Sequence, residues 1–395
     1  MKKLLSLAAA LLLAFFVFPA SALAVSDQRV YAHGMNYLRD PKNGRSYLIW
    51  SDAYKSGVLG NGSWTHDVFF RRISISSPST GGKRKLIGAH EAQEPASAAA
   101  AGDGRIIVSF EDGNDAGSYT LAQRYAVYDK DLRVIKRYPS TIAMGGHSGH
   151  ASATKDRFVV FWNDGWIDGG GSDGLGTGDD LYVTSLKTNG RGKRTIPVSV
   201  GKNRDWWPLA ASSGSRTLLV WQRYAGDSCT HLCWALFDPK KCRLVKTSGP
   251  DGLRAVHELS NMDMRYYTYA VTWLPGTERF LINATELTGG KKSGVLLLFD
   301  KKGGFISKTG GFPAFVRESA PAVKTRGSGD LLCFPSDPSG AFFVKADKSG
   351  VSLQRTAAGS YKWSYRGTSG FFGRGNKAYF ASLGKRRVDL LSFKG

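Results

Sequence analysis

Short apolar runs recur at nearly regular intervals along this chain, and this repetition constrains the fold more than any other feature. The seven runs are Tyr47–Trp50, Ile106–Phe110, Phe158–Trp162, Leu218–Trp221, Phe280–Ile282, Leu331–Phe334 and Ala378–Phe380. Successive runs are 47 to 62 residues apart. Propeller blades repeat every ~40–50 residues, and insertions in loops would lengthen individual repeats.

Each repeat has the same internal order. A run of small residues comes first, as in 95–101, and a Gly/Asp turn then leads to the apolar run. A polar loop, a second apolar run such as 295–299 and another tight turn follow. Because tight turns between short apolar runs make antiparallel hairpins, we predict an all-β, seven-bladed β-propeller with four strands per blade. Six or eight blades and a two-sheet sandwich are the alternatives.

The two ends of the chain complement each other in this arrangement. The last repeat is one strand short, and the segment 28–31 precedes the first repeat without another assignment. An N-terminal strand that completes the last blade would close the ring and remove its exposed edges. We therefore predict closure of the ring by this segment.

Residues 1–24 have the features of a secretory signal peptide. Lys2 and Lys3 precede the apolar segment 4–18, and Ala22-Leu23-Ala24 supplies a small-x-small cleavage site. The apolar segment is shorter than a membrane span of about 20 residues, which argues against an anchor. We expect a single propeller domain over 25–395, not transmembrane, that is secreted or periplasmic.

The four cysteines all follow the signal segment: Cys229, Cys233, Cys242 and Cys333. Exported proteins fold in oxidising compartments, so one or two disulfides are expected, with buried free thiols as the alternative. Pairing does not follow from the spacing, and Cys-x3-Cys-x8-Cys matches no common zinc pattern.

The chain is strongly basic. It carries 54 Lys and Arg against 32 Asp and Glu, a net charge of +22, and its 42% hydrophobic content argues against disorder. Many basic residues lie in turns, as at Lys240-Lys241 and Lys291-Lys292. For an exported protein we expect an acidic polysaccharide or another anionic envelope ligand as partner rather than nucleic acid. We also expect a monomer.

Arginine recurs near the start of each innermost strand. The repeats were aligned on Tyr37, Pro95, His150, Pro208, Tyr269, Pro321 and Gly370. Four residues earlier, four successive repeats carry Arg204, Arg265, Arg317 and Arg366. Guanidinium groups bind carboxylates, sulfates and phosphates bidentately, so we predict an anion site at this mouth of the channel, with Trp206 stacking on a sugar ring.

Two structural alternatives compete with that site. The arginines could pair with Asp205 or Glu318 of neighbouring blades and staple the ring. The aromatic side chain of Trp206 could pack between blades.

Candidate catalytic residues lie at the same end of the repeats: His33, Glu91, His147, His150, Asp205 and Tyr266. A carboxylate pair would suit hydrolysis of a glycosidic bond, and a His or Tyr beside an Arg-bound uronate would suit a lyase. The residues assign no reaction, so whether the protein is an enzyme stays open. We expect no cofactor, although Asp168, Asp173, Asp179 and Asp180 could bind calcium unless they form an ordinary surface loop.

The segments 149–162 and 208–221 each combine a small-residue strand, a turn and an apolar strand that ends in Trp. In this general form the chain resembles secreted bacterial propellers of the sialidase-like and polysaccharide-lyase groups, a resemblance that implies a glycan ligand. The sialidase Asp-box, Ser-x-Asp-x-Gly-x-x-Trp, has no clean match, and Arg72-Ile73 is followed by Ser74 rather than Pro. A standard sialidase is therefore disfavoured, and the resemblance assigns no catalytic residue.

Two functional hypotheses follow. The first is an exported propeller that binds, and in its stronger form cleaves, an acidic glycan or other anionic ligand. The second is a non-catalytic envelope scaffold or protein-interaction propeller in which the arginines are staples between blades.

Overall fold

The computed structural model consists of β-strands joined by turns and loops. It describes residues 35–40, 44–58, 64–78, 82–89, 93–112, 122–164, 180–201, 204–224, 230–248, 269–288, 291–315, 320–336, 339–362, 368–384 and 387–394. In these ranges the strands are β1 (Asn36–Arg39), β2 (Ser46–Val58), β3 (Trp64–Ile73), β4 (Arg84–Ile87), β5 (Gln93–Ala100), β6 (Ile106–Asp112), β7 (Ala122–Tyr128), β8 (Val134–Met144), β9 (His147–Ala153), β10 (Arg157–Asp164), β11 (Asp180–Lys187), β12 (Arg194–Ser199), β13 (Arg204–Ser212), β14 (Thr217–Tyr224), β15 (Thr230–Asp238), β16 (Arg243–Thr247), β17 (Tyr269–Leu274), β18 (Arg279–Thr288), β19 (Lys291–Asp300), β20 (Phe305–Phe312), β21 (Ala322–Arg326), β22 (Gly329–Pro335), β23 (Ser339–Ala346), β24 (Val351–Lys362), β25 (Thr368–Phe372), β26 (Lys377–Gly384) and β27 (Arg387–Lys394).

The strands form seven antiparallel sheets, each a meander of strands that are consecutive in the chain. Within the described ranges, six sheets have four strands and the last, β25-β26-β27, has three. The seven sheets are the blades of a β-propeller, which confirms the predicted fold class and blade number. The predicted closing segment 28–31 lies outside the described residues, so closure by that strand stays a prediction.

The second strand of each blade is apolar on both faces because each face packs against a neighbouring blade. In β10, Phe158 and Val160 pack with blade 2, whereas Val159 and Phe161 pack with blade 4. A strand buried on both sides reads as a continuous apolar run rather than an alternating one. This burial is the physical origin of the repeated runs in the sequence.

Every pair of adjacent blades shares one apolar cluster, including the pair that closes the ring. Between blades 7 and 1, Trp50 and Phe371 belong to the same cluster. The ring of Tyr37 stacks on that of Phe371 with centroids 4.5 Å apart, and the Tyr37 N–H donates to Ser369 Oγ at 2.9 Å. The described part of the chain therefore closes by side-chain packing between β1 and β25.

The order of strands in each blade places the connections at two ends of the ring, the hairpin end and the loop end. At the hairpin end lie the turns between first and second strands and those between third and fourth strands. At the loop end lie the connections between second and third strands and those leading from one blade to the next. In the part of the chain that the structure describes, no helix has the length and apolar character to cross a membrane.

The cysteines depart in part from the expected disulfides. Cys233, Cys242 and Cys333 are buried, and Cys242 and Cys333 are free thiols. Two free thiols among four cysteines exclude the two-disulfide arrangement in this structure. Cys229 lies outside the described residues.

Candidate functional site

The innermost strands begin at the loop end, and a β-bulge marks the start of those in blades 2, 3 and 4. In β5 the register shifts between Glu94 and Ser97. In β9 it shifts opposite the segment 161–163 of β10, and in β13 it shifts between Trp206 and Leu209. In blades 3 and 4 the bulge contains a non-glycine residue with positive φ, Ser148 at 51° and Trp207 at 58°. Because this strained backbone recurs, it belongs to the blade architecture rather than to one active site.

The bulges correct the sequence alignment of the repeats. They set Pro95-Ala96, Ser148-Gly149 and Trp207-Pro208 at equivalent positions, each opposite the aromatic residue that ends the second-strand run. His150, which pairs with Phe161, is therefore equivalent to Leu209 rather than to Pro208. The spacing to the aromatic residue indicates the same equivalence, because the segments 149–162 and 208–221 have equal length.

In blades 1, 2 and 3, the polar residue directly after the aromatic residue that ends the second-strand run bonds to the next blade. In blade 1, Ser51 Oγ donates to the Gln93 carbonyl at 2.7 Å and accepts from the Ala96 N–H at 2.9 Å. In blade 3, Asn163 Nδ2 donates to the Asp205 carbonyl at 2.8 Å. Of the backbone groups bonded in this way, the Ala96 N–H lies in the bulge, where ladder pairing is interrupted.

Blade 2 makes the same connection with two side chains. Glu111 Oε1 accepts from the Ser148 N–H, and Gln123 Oε1 accepts from the Gly149 N–H at 2.9 Å. Gln123 is fully buried and its Nε2 donates to Ser109 Oγ at 2.7 Å. We did not predict these staples, although an aromatic residue followed by Ser, Glu or Asn in successive repeats is a signal that could have found them.

Asp205 is fully buried and lies in an ion pair within its own blade. Arg223 Nε donates to Oδ1 at 2.8 Å, and Arg223 Nη2 donates to Oδ2 at 2.9 Å. The hydroxyl of Ser199 donates to the same carboxylate and accepts from Arg223 Nη2 at 3.0 Å. This bidentate pair engages both carboxylate oxygens of Asp205 within blade 4.

The two described histidines among the candidates hold backbone or neighbouring groups. His147 is buried, and its Nδ1 lies 2.9 Å from Ser148 Oγ. His150 Nδ1 accepts from the Ala210 N–H of blade 4 at 3.2 Å. Desolvation lowers the pKa of His150 to about 4, so its imidazole is neutral at physiological pH and remains an acceptor.

Trp206 is only 7% exposed and belongs to the apolar cluster between blades 4 and 5. Its ring meets that of Trp207 edge-on, with centroids 6.0 Å apart. The Trp207 carbonyl in turn accepts from the Tyr269 hydroxyl of blade 5. The contacts of Trp206 are thus those of inter-blade packing, the alternative to sugar stacking.

Three described carboxylates of this end pair with cations of their own blade. Besides Asp205, Asp112 pairs with Arg124 Nε at 2.9 Å, and Asp67 pairs with Lys85 Nζ at 2.7 Å. Arg204 begins β13 opposite Tyr224. The other predicted site residues lie outside the described ranges: His33, Glu91, Arg265, Tyr266, Arg317 and Arg366. Their convergence on the channel mouth stays a prediction.

The predicted calcium loop also lies largely outside the described residues. Asp180, its last member, accepts from the Gly201 N–H at 3.1 Å through Oδ1. Within the described ranges, no group of three or more His, Cys, Asp or Glu side chains is arranged to hold a metal ion.

Comparison with known proteins gives a likeness in overall form only. No protein-family model matches the chain, and no curated protein matches its sequence. A polysaccharide lyase covers 92% of this chain and 90% of its own at 11% identity, with a TM-score of 0.48. An apocarotenoid oxygenase from Synechocystis covers 88% of this chain and 74% of its own at 11% identity and a TM-score of 0.48. AofleA from Arthrobotrys oligospora covers 93% and 90% at 8% identity and a TM-score of 0.45.

Proposed function

We propose that this propeller is exported and binds an acidic glycan, or another ligand with several anionic groups, at the loop end of its channel. Arg204, Arg265, Arg317 and Arg366 would supply the guanidinium groups. The observation that carries the proposal is the closed ion pair between Asp205 and Arg223.

The ion pair matters because stapling was the main competing role for the arginines. Stapling needs carboxylates at this end, and Asp205 and Glu318 are the two candidate partners of the arginines. Both oxygens of Asp205 are bonded to Arg223, and Asp112 and Asp67 have cations of their own. With these three acids paired, one of the two candidate staple partners is engaged, which favours an external anion for the additional arginines.

The ligand site must be specific rather than a general field of positive charge. By sequence, the loop-end connections contain eleven Asp and Glu against seven Lys and Arg. Long polyanions would be repelled by this surplus of acidic residues. We therefore expect short-range, bidentate recognition of carboxylate or sulfate groups in the channel mouth.

Binding is proposed without a reaction, because two of the described candidates are engaged in structural contacts. His150 is held neutral as a backbone acceptor, and Asp205 is held by Arg223. The test is isothermal titration with oligogalacturonate and with a neutral oligosaccharide of equal length. Ultraviolet absorbance of unsaturated products and reducing-end assays on the same samples would detect lyase or hydrolase turnover.

The expected result is binding of the uronate alone, with Arg265→Ala weakening it by about ten- to hundredfold. Arg374→Ala, at an exposed arginine of the hairpin end, is the matched control and should bind like the parent protein. Equal affinity of Arg265→Ala for the uronate would overturn the assigned site. Loss of folding in that variant would instead support the scaffold alternative, in which the arginine is a staple.

A further inference from the structure

Among the connections between strands, net positive charge is found at the hairpin end. The turns there contain sixteen Lys and Arg against seven Asp and Glu by sequence, a surplus of nine. The loop-end connections have a deficit of four by the same count. The ring is therefore polarised along its axis, and the proposed ligand mouth is not its basic end.

Several acidic side chains of the hairpin end are turned toward the backbone. Asp129 Oδ1 accepts from the N–H groups of Asp131 and Arg133 at 2.8 and 2.9 Å. Asp347 Oδ1 accepts from those of Ser349 and Gly350 at 2.9 and 3.0 Å, and these bonds lower its pKa.

The basic side chains project outward between these turns. Lys240 and Lys241 of blade 4 are exposed, as are Lys301 and Lys302 of blade 5. The two turns are adjacent, since a Cβ on Gly303 would lie 3.1 Å from Leu236 of blade 4. The basic turns of blades 4 and 5 thus lie side by side and form one basic surface.

Exposed apolar side chains are interleaved with this basic surface. Among the described residues, seven large apolar side chains are exposed, and five of them lie in the first three residues of an outermost strand, at the hairpin end. These five are Val134, Ile135, Val245, Phe305 and Leu353, with exposures from 38% to 53%. Two of them follow a lysine pair in the turn of their own blade: Val245 follows Lys240 and Lys241, and Phe305 follows Lys301 and Lys302.

We propose that the hairpin end docks on the surface of an anionic lipid bilayer. Lysines would attract the head groups, and the apolar rim side chains would enter the boundary between head groups and acyl chains. A soluble polyanion would need only the cations, so the interleaved apolar side chains favour a membrane as the occupant. In this orientation the loop end, with its proposed glycan site, faces away from the bilayer.

The test uses the exported protein, with its N-terminus read by mass spectrometry so that the apolar segment 4–18 does not contribute. Cosedimentation is measured with phosphatidylcholine vesicles with and without phosphatidylglycerol, over a series of salt concentrations. The variant K240E/K241E is compared with K291E/K292E, an equally exposed lysine pair at the loop end. F305S/L353S is compared with M144S/V200S, which removes two exposed apolar side chains at the other end.

We expect binding only to vesicles that contain phosphatidylglycerol, with affinity that falls as salt increases. K240E/K241E should weaken binding at least about tenfold while K291E/K292E binds within a factor of about two of the parent protein. F305S/L353S should weaken binding even at low salt, and M144S/V200S should not.

Three outcomes would overturn the proposal: no vesicle binding, equal loss in both lysine variants, or equal loss in both apolar variants. Capture of dextran sulfate through Lys240 and Lys241 without vesicle binding would assign the surface to a soluble polyanion instead. Because these variants leave Arg265 intact, failure here would not bear on the glycan proposal.

Discussion

The imidazole of His150 in blade 3 accepts a hydrogen bond of 3.2 Å from the backbone N–H of Ala210 in blade 4. Only a deprotonated Nδ1 can accept this bond, so the contact requires a neutral ring. Desolvation favours the same state, with a pKa near 4 against about 6.5 in an unfolded chain. The interface between the two blades therefore contains a hydrogen bond that protonation of His150 would break.

Low pH should lower the free energy of unfolding through the protonation of His150. Because the folded pKa is depressed, its contribution is complete above about pH 6.5, declines as the pH falls toward about 4 and is constant below that value. The loss is on the order of 3 kcal/mol across this window. His150→Asn, whose Oδ1 can accept the same bond without titrating, should flatten the corresponding part of the curve of unfolding free energy against pH. Parallel curves for the two proteins in urea titrations would contradict the assignment.

The Asp205–Arg223 pair should stabilise blade 4 only as a pair. Arg223→Met leaves a fully buried carboxylate without its bidentate partner, and we expect a loss of about 3–5 kcal/mol in unfolding free energy. Adding Asp205→Asn to that variant should recover part of the loss, because the unpaired charge is removed. Denaturant unfolding of the two single variants and the double variant measures the coupling. Additive losses would show that the two side chains act independently.

Much of the fold could be predicted from the sequence because burial on both faces leaves a plain signal. The runs around Val159 and Leu219 are continuous in apolar character for that reason, and they mark the second strands. The bulge at Ser148-Gly149 could not be predicted, because its positive φ occurs at a residue with no conformational preference for it.

The candidate site was less predictable than the fold. Side chains such as Gln123 and Arg223 matter through partners that are distant in sequence or buried, and neither the 3.6-residue nor the two-residue period reveals such pairing. The charge polarity of the ring was also missed. Basic turns are scattered along the sequence. Only the strand order of the blades shows that most of them lie together at the hairpin end.

The close approach of Gly149 to Gln123 predicts a position where only glycine fits. A Cβ on Gly149 would lie 2.3 Å from Gln123 Cδ, and the Gln123 side chain is held by bonds to Gly149 and Ser109. Gly149→Ala should therefore destabilise the protein by about 1–3 kcal/mol. Gly214→Ala, at a turn with open space around the added methyl group, is the matched control. Equal melting temperatures for the two variants would show that blade 2 accommodates the added methyl group without loss of stability.

The buried thiols of Cys242 and Cys333 should react slowly with alkylating reagents in the folded protein. Burial raises the pKa of both, most strongly that of Cys333, so each stays a protonated thiol at neutral pH. Since the thiolate is the reactive species, alkylation by iodoacetamide should be slow in buffer and fast in denaturant. Peptide mass spectrometry after short pulses would measure both sites separately, with Cys333 the slower. Rapid labelling of Cys333 in buffer would show that the interface between blades 6 and 7 opens in the native state.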